Sequence, residues 1–174
     1  MAGRLCMAAG MAATLAVPPA RAETSATFDL AARIVAGCEI NGDTAASGQA
    51  IGQTGTLDFG THSALETGPV TAVMAWNSAV SMRCTPSVAL TMAIGAGLHA
   101  DSARNLQRQA GTSRIAYRLY RDAGFSQELI ADQPVPISFS ESLPITPAIY
   151  GRLVLPGDRP AGTYSDTVVV TFAW

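Results

Sequence analysis

Six stretches of this chain alternate apolar and polar residues with a period of two. The first places Ala26, Phe28, Leu30, Ala32, Ile34 and Ala36 on one face of an extended segment, in phase with Cys38. Val80, Met82 and Cys84 form a second. Val88, Leu90, Met92 and Ile94 form a third, stopped by Gly95-Ala96-Gly97. Ile115, Tyr117 and Leu119 follow, then Ile149, Gly151, Leu153 and Leu155, ended by Pro156-Gly157-Asp158. Val168, Val170, Phe172 and Trp174 close the series. Successive strand residues point to opposite faces, so this pattern marks half-buried strands. Several such strands without a strong helical stretch predict an all-β sandwich. The stretch from Asp101 to Gln109 breaks the alternation and reads as a short helical turn or loop. No internal repeat, low-complexity tract or linker interrupts the body.

The first residues read as an export signal. Arg4 supplies a positive start, an apolar run spans Leu5 to Val17, and Ala20-Arg21-Ala22 fits a small-x-small cleavage site after Ala22. The run is short for a membrane span of about 20 residues, and no later stretch is long enough, so no membrane span is expected in the mature chain. Cleavage removes Cys6, leaving Cys38 and Cys84 in a chain bound for an oxidising compartment. A disulfide between them is expected, worth roughly 4 kcal/mol on a chain-entropy model.

A search for chemistry returns little. The two histidines, His62 and His99, have no ligand partner at short spacing, and the three cysteines are wrongly spaced for zinc. No nucleophile elbow, zinc-protease or phosphate-loop pattern occurs. Asp101, Asp122, Asp132, Glu141, Asp158 and Asp166 fall at loops and strand ends, where solvated turn residues are the ordinary reading. No catalytic residue, metal or cofactor is assigned. The 11 basic residues are all arginine, against 13 acidic residues and a formal net charge of −2. That leaves no basic stripe for nucleic acid. Leu143-Pro144-Ile145-Thr146-Pro147 only superficially matches a sortase signal, because its final glycine and a following apolar tail are missing.

The order of several motifs resembles the spore coat protein U domain family, to which subunits of archaic (Csu-type) chaperone–usher pili belong. The motifs are the alternating segment running into Cys38, then Leu57-Asp58-Phe59-Gly60, then the strand ending at Cys84. They continue with Ile115-Ala116-Tyr117-Arg118-Leu119-Tyr120-Arg121-Asp122, Ile149-Tyr150-Gly151-Arg152, and the ending from Gly162 to Phe172. The resemblance implies an incomplete immunoglobulin-like β-sandwich, completed by a donor strand from a partner subunit. It implies three kinds of partner: a periplasmic chaperone, an outer-membrane usher and neighbouring pilus subunits. Phe28, Leu30, Ala32 and Ile34 would then be donor-strand plugs. Val168, Val170, Phe172 and Trp174 would border the groove that the chaperone fills first. From pattern alone, residues 26–36 could equally be the first strand of their own sandwich; the resemblance favours donation.

The expected organisation is a signal peptide over 1–22, a donor strand over 23–36 and a sandwich over 37–174. The expected function is that of a non-enzymatic subunit of a surface pilus, exported through the periplasm and supporting adhesion or biofilm formation. Two alternatives remain at this stage. One is a stand-alone secreted adhesin or carbohydrate-binding sandwich; the other is a spore or cyst coat protein.

Overall fold

The computed structural model describes residues 28–44, 52–77, 81–139 and 144–174. The chain partitions into two units, Met1–Arg33 and Ile34–Trp174. Residues 1–22, Thr24 and Ala26, to which the sequence assigns the signal and the start of the donor, lie outside the described residues, as does Val80. Of the first unit, the described residues 28–33 are exposed and form no strand.

The second unit is built from short strands. In chain order they are β1 (Cys38–Ile40), β2 (Asp43–Thr44), β3 (Gly55–Thr56), β4 (Thr67–Val73), β5 (Ala75–Trp76), β6 (Met82–Cys84) and β7 (Thr91–Ile94). They continue with β8 (Arg104–Arg108), β9 (Arg114–Tyr120), β10 (Val135–Pro136), β11 (Tyr150–Pro156), β12 (Tyr164–Ser165) and β13 (Val170–Ala173). No helix occurs among the described residues, and the fold is all-β as the alternation predicts. A five-stranded sheet runs β12-β8-β9-β11-β4. Two three-stranded sheets run β10-β7-β13 and β2-β1-β6, and β3 pairs with β5. All the ladders are antiparallel.

One core joins the sheets. The five-stranded sheet contributes Ile115, Tyr117, Leu119 and Leu153; β7 and β13 contribute Met92, Ile94 and Phe172; β1 and β6 contribute Cys38, Met82 and Cys84. These are the inward positions of the alternations read from the sequence. Cys38 and Cys84 stand directly opposite each other on β1 and β6 and form the expected disulfide, with Cα atoms 4.0 Å apart.

One expectation fails. Residues 104–108 are a strand, not a helical turn or loop. The apolar alternation is missing because Arg104 and Asn105 are buried polar residues, 6% and 5% exposed. The Arg104 guanidinium donates to the carbonyls of Ile94, Gly95 and Leu129 at 2.9, 2.9 and 2.7 Å. Burial of a polar group is tolerated where its hydrogen bonds are made. Here the long side chain ties the end of β7 to the segment after β9.

Candidate functional site

The sheet edges differ in how they end. A strand edge presents unpaired N–H and C=O groups, and folded proteins blunt such edges with short strands, proline, charge or a covering element. The five-stranded sheet ends on one side in the two-residue β12 and on the other in β4, which carries Pro69. The β10-β7-β13 sheet ends on one side in two-residue β10, which carries Pro136. Its other end is β13, with neither proline nor charge over Val170-Thr171-Phe172-Ala173. The pairing of β13 with β7 runs from Val170 opposite Ile94 to Ala173 opposite Thr91. No strand is hydrogen-bonded to the far side of β13 among the described residues.

The sequence-assigned C-terminal residues share one face of this strand. Phe172 is 6% exposed within the core, and Val168, Val170 and Trp174 are partly buried against it. The candidate plugs are placed differently. Phe28, Leu30 and Ile34 are 80%, 86% and 95% exposed, and Ala32 is exposed as well. A run of large apolar side chains left in solvent forgoes about 1.5–3 kcal/mol of burial each. That is unusual for a soluble surface.

Two assemblies tie loops to the sheets, one of them polar and beside β13. Asp166, between β12 and β13, has a buried side chain, which corrects its reading as a solvated turn residue. Its Oδ2 accepts from the Tyr117 hydroxyl at 2.7 Å. Its Oδ1 accepts from the His99 N–H at 3.2 Å and faces His99 Nδ1 at 3.1 Å. Burial first, and then the hydrogen bond to Asp166, raises the Tyr117 pKa far above its usual value, so the phenol stays protonated as a donor. Gly97 lies against the Asp166 carboxylate, leaving no room for a Cβ. The sequence signal for this assembly was weak: a glycine turn, a histidine and a distant aspartate share no spacing pattern.

The second assembly is the Leu57-Asp58-Phe59-Gly60 loop. Leu57 and Phe59 press on β11 at Gly151, where each comes within 2.8 Å of the place a Cβ would occupy. Phe59 also meets Tyr117, ring centroids 6.3 Å apart. Two motifs nearly a hundred positions apart are therefore halves of one contact, with glycine required for the close approach. His62 closes the loop. Its Nε2 lies 2.7 Å from the Phe59 carbonyl and its Nδ1 lies 3.0 Å from Glu66. The carbonyl first, and then the carboxylate, raises the His62 pKa above 6.5.

The two histidines thus sit in separate structural roles. Among the described residues no three His, Cys, Asp or Glu side chains converge as a metal site. The arrangement offers main-chain hydrogen bonding along β13 and an apolar face beside it, which is the chemistry of strand addition.

A solved complex from Acinetobacter baumannii, the CsuC–CsuE chaperone–tip adhesion subunit pre-assembly complex of archaic chaperone–usher Csu pili, aligns with a TM-score of 0.47 and 16% identity. The alignment covers 81% of this chain and 40% of that one, so this chain spans less than half its length. Protein U of Myxococcus xanthus is 28% identical over 176 residues, covering 94% of this chain and 92% of that protein. The model of the Spore Coat Protein U domain matches residues 24–171, which takes in the exposed apolar segment, the disulfide, the Leu57–Gly60 loop and the first half of β13. The chain belongs to the Spore Coat Protein U domain family.

Proposed function

We propose that this chain is a structural subunit of a surface pilus assembled by the chaperone–usher route through donor-strand exchange. The observation that carries the reading is the unblunted outer edge of β13, which, alone among the ends of the five-stranded sheet and the β10-β7-β13 sheet, has neither proline nor extreme shortness. An incoming strand would pair along this edge and set alternate side chains against Val168, Val170, Phe172 and Trp174. It would complete an immunoglobulin-like sandwich that the chain cannot complete alone. Residues 23–36 would be the donor for a neighbouring copy, with Phe28, Leu30 and Ile34 as large plugs and Ala32 at a shallower position; residues 37–174 would be the acceptor.

The magnitudes suit a fibre without covalent links. Three apolar plugs at about 1.5–3 kcal/mol each, with strand hydrogen bonds at about 0.5–1.5 kcal/mol net each, give on the order of 10 kcal/mol before association costs. Export by a signal peptide over 1–22, protection of the edge by a periplasmic chaperone and ordering at an outer-membrane usher follow from this reading. So does a role in adhesion or biofilm formation. The chain would act by assembly, with no catalytic residue. The match to the Spore Coat Protein U domain over residues 24–171 favours a second setting for the same mechanism, a spore or cyst coat built from exchanged strands.

The deciding experiment expresses the chain with its chaperone and usher and compares Phe28→Asp and Ile34→Asp with the native sequence. Each variant is expected to bind chaperone normally and to abolish fibres. Normal fibres would overturn the donor assignment. A stable monomer of the native chain without chaperone would instead support a self-contained secreted adhesin.

A further inference from the structure

The outer face of the five-stranded sheet carries a chemistry of its own. Its strands hold five arginines, Arg104, Arg108, Arg114, Arg118 and Arg152, and no aspartate or glutamate. Arg104 is buried in the role described above, and Arg108 donates to the carbonyls of Ala110 and Ala161. Arg114 and Arg118 lie on one face of β9, about 13 Å apart at the usual strand rise. Arg152 of β11 stands directly opposite Arg118. Like charges placed so destabilise a sheet. On the disulfide-bonded sheet the corresponding cross-strand pair is complementary, Glu39 opposite Arg83.

Arg114, Arg118 and Arg152, with Arg159 beyond β11, line a shallow concavity of about 490 Å³ that has no carboxylate in its lining. Three of the four guanidinium groups meet carboxylates at its rim, Arg114 with exposed Asp101 at 3.4 Å, Arg118 with half-buried Glu128 at 2.9 Å and Arg159 with exposed Asp158 at 3.8 Å. Solvent-exposed pairs of this kind are weak and exchange readily with an incoming anion. Arg152 is held differently, 5.7 Å from the centroid of the Phe125 ring.

Phe125 is placed there against its own preference. Its φ of 54° lies in the left-handed region, where a bulky residue is an outlier that points to a constrained role. The loop that imposes it winds around Asp122, whose carboxylate accepts from the N–H groups of Ser126 and Gln127 and from the Ser126 hydroxyl. The Phe125 ring meets Tyr120 and Tyr150 edge-on, at 5.4 and 6.5 Å. The result is an aromatic end, then Arg152 and Arg118, then Arg114 further along.

We propose that this face binds an acidic polysaccharide. Planar guanidinium groups pair bidentately with carboxylates, so Arg118 and Arg152 would grip uronate carboxylates while the aromatic end takes the apolar face of a sugar ring. Duplex nucleic acid fits less well: affinity for a polyphosphate rests on accumulated positive charge, and this chain has no lysine and a formal charge of −2. The proposal is independent of strand exchange, since it uses neither β13 nor residues 23–36.

The test titrates the full chain with an oligogalacturonate, a neutral oligosaccharide of equal length and a DNA duplex. The oligogalacturonate is expected to bind in a salt-dependent manner, with no measurable binding of the neutral sugar and weaker binding of DNA. Arg118→Gln and Arg152→Gln should each lower affinity at least tenfold, Glu128→Gln should raise it several-fold, and Arg83→Gln should leave it unchanged. Either arginine change relieves a like-charge pair, so melting temperatures should not fall. Arg152→Lys keeps the charge without the planar fork, and should fold normally yet bind several-fold more weakly than the native chain. Absence of oligogalacturonate binding, an equal loss in Arg83→Gln, or DNA bound as tightly as the oligosaccharide would overturn the proposal.

Discussion

The five-stranded sheet and the β10-β7-β13 sheet share one core but end in different ways. The first has a seven-residue ladder between β11 and β4, from Tyr150 opposite Val73 to Pro156 opposite Thr67, and both of its outer strands are short or proline-bearing. The second stakes four cross-strand positions on β7 and β13, and among the described residues no strand pairs with the far side of β13. Equal burial does not mean equal completeness. Leu153 and Phe172 are 4% and 6% exposed, yet only Phe172 sits on a strand with an edge to offer.

The largest effects should expose that difference. Leu153→Ala and Phe172→Ala should each destabilise the chain by about 2–5 kcal/mol through lost burial and a residual cavity. Chemical denaturation would measure both. Their responses should then part: a peptide of residues 24–36 should bind and stabilise Leu153→Ala as it does the native chain, and Phe172→Ala more weakly, because only Phe172 lies on the strand the peptide pairs with. On the native chain, the same peptide at a hundred times its dissociation constant should add about 2.7 kcal/mol. A peptide carrying Ile34→Asp should add nothing, and equal stabilisation by both peptides would erase the distinction between the sheets.

A smaller effect tests how firmly the five-stranded sheet is covered. Gly151→Ala should cost about 1–3 kcal/mol by overpacking, because Leu57 and Phe59 would have to withdraw from β11. Its thermal melt should be lower, while peptide affinity at β13 should be unchanged.

The smallest effect is in pH. Both His62 ring nitrogens face acceptors, so the imidazolium satisfies two contacts where the neutral ring satisfies one. Its folded pKa is raised. The contribution is therefore fully present below about pH 6.5, the unfolded value, and is lost as pH rises through the folded value. Proton NMR of His62 should show the raised pKa, and Glu66→Gln should lower it. An unchanged value in that variant would remove Glu66 from the account.

What the sequence disclosed followed from where burial and alternation coincide. β9, β11 and β13 were legible because Ile115, Tyr117, Leu153 and Phe172 mark every second position on a buried face. β8 was hidden because it opens on two buried polar residues, Arg104 and Asn105, and nothing in a linear pattern reveals that three carbonyls wait for a guanidinium. β4 was hidden by Gly68 and Pro69, turn-forming residues that an outer strand tolerates. Asp166 looked like a turn carboxylate because its partners, Tyr117 and His99, are distant in sequence. The arginine face escaped notice for a related reason. Eleven arginines against thirteen acids look balanced until pairing brings Arg118 and Arg152 together.

The disulfide has a mechanical consequence. Cys38 is the first residue of β1, so a pull on residues 34–36 reaches the folded body at the half-cystine itself. Three residues of β1 would peel from β6 one hydrogen-bonded pair at a time under such a load. The Cys38–Cys84 bond bypasses that weak point and passes the tension covalently into β6. Reduction should therefore lower the unfolding force of a tethered chain pulled from its N-terminus more than the force of one pulled between two points that exclude Cys38.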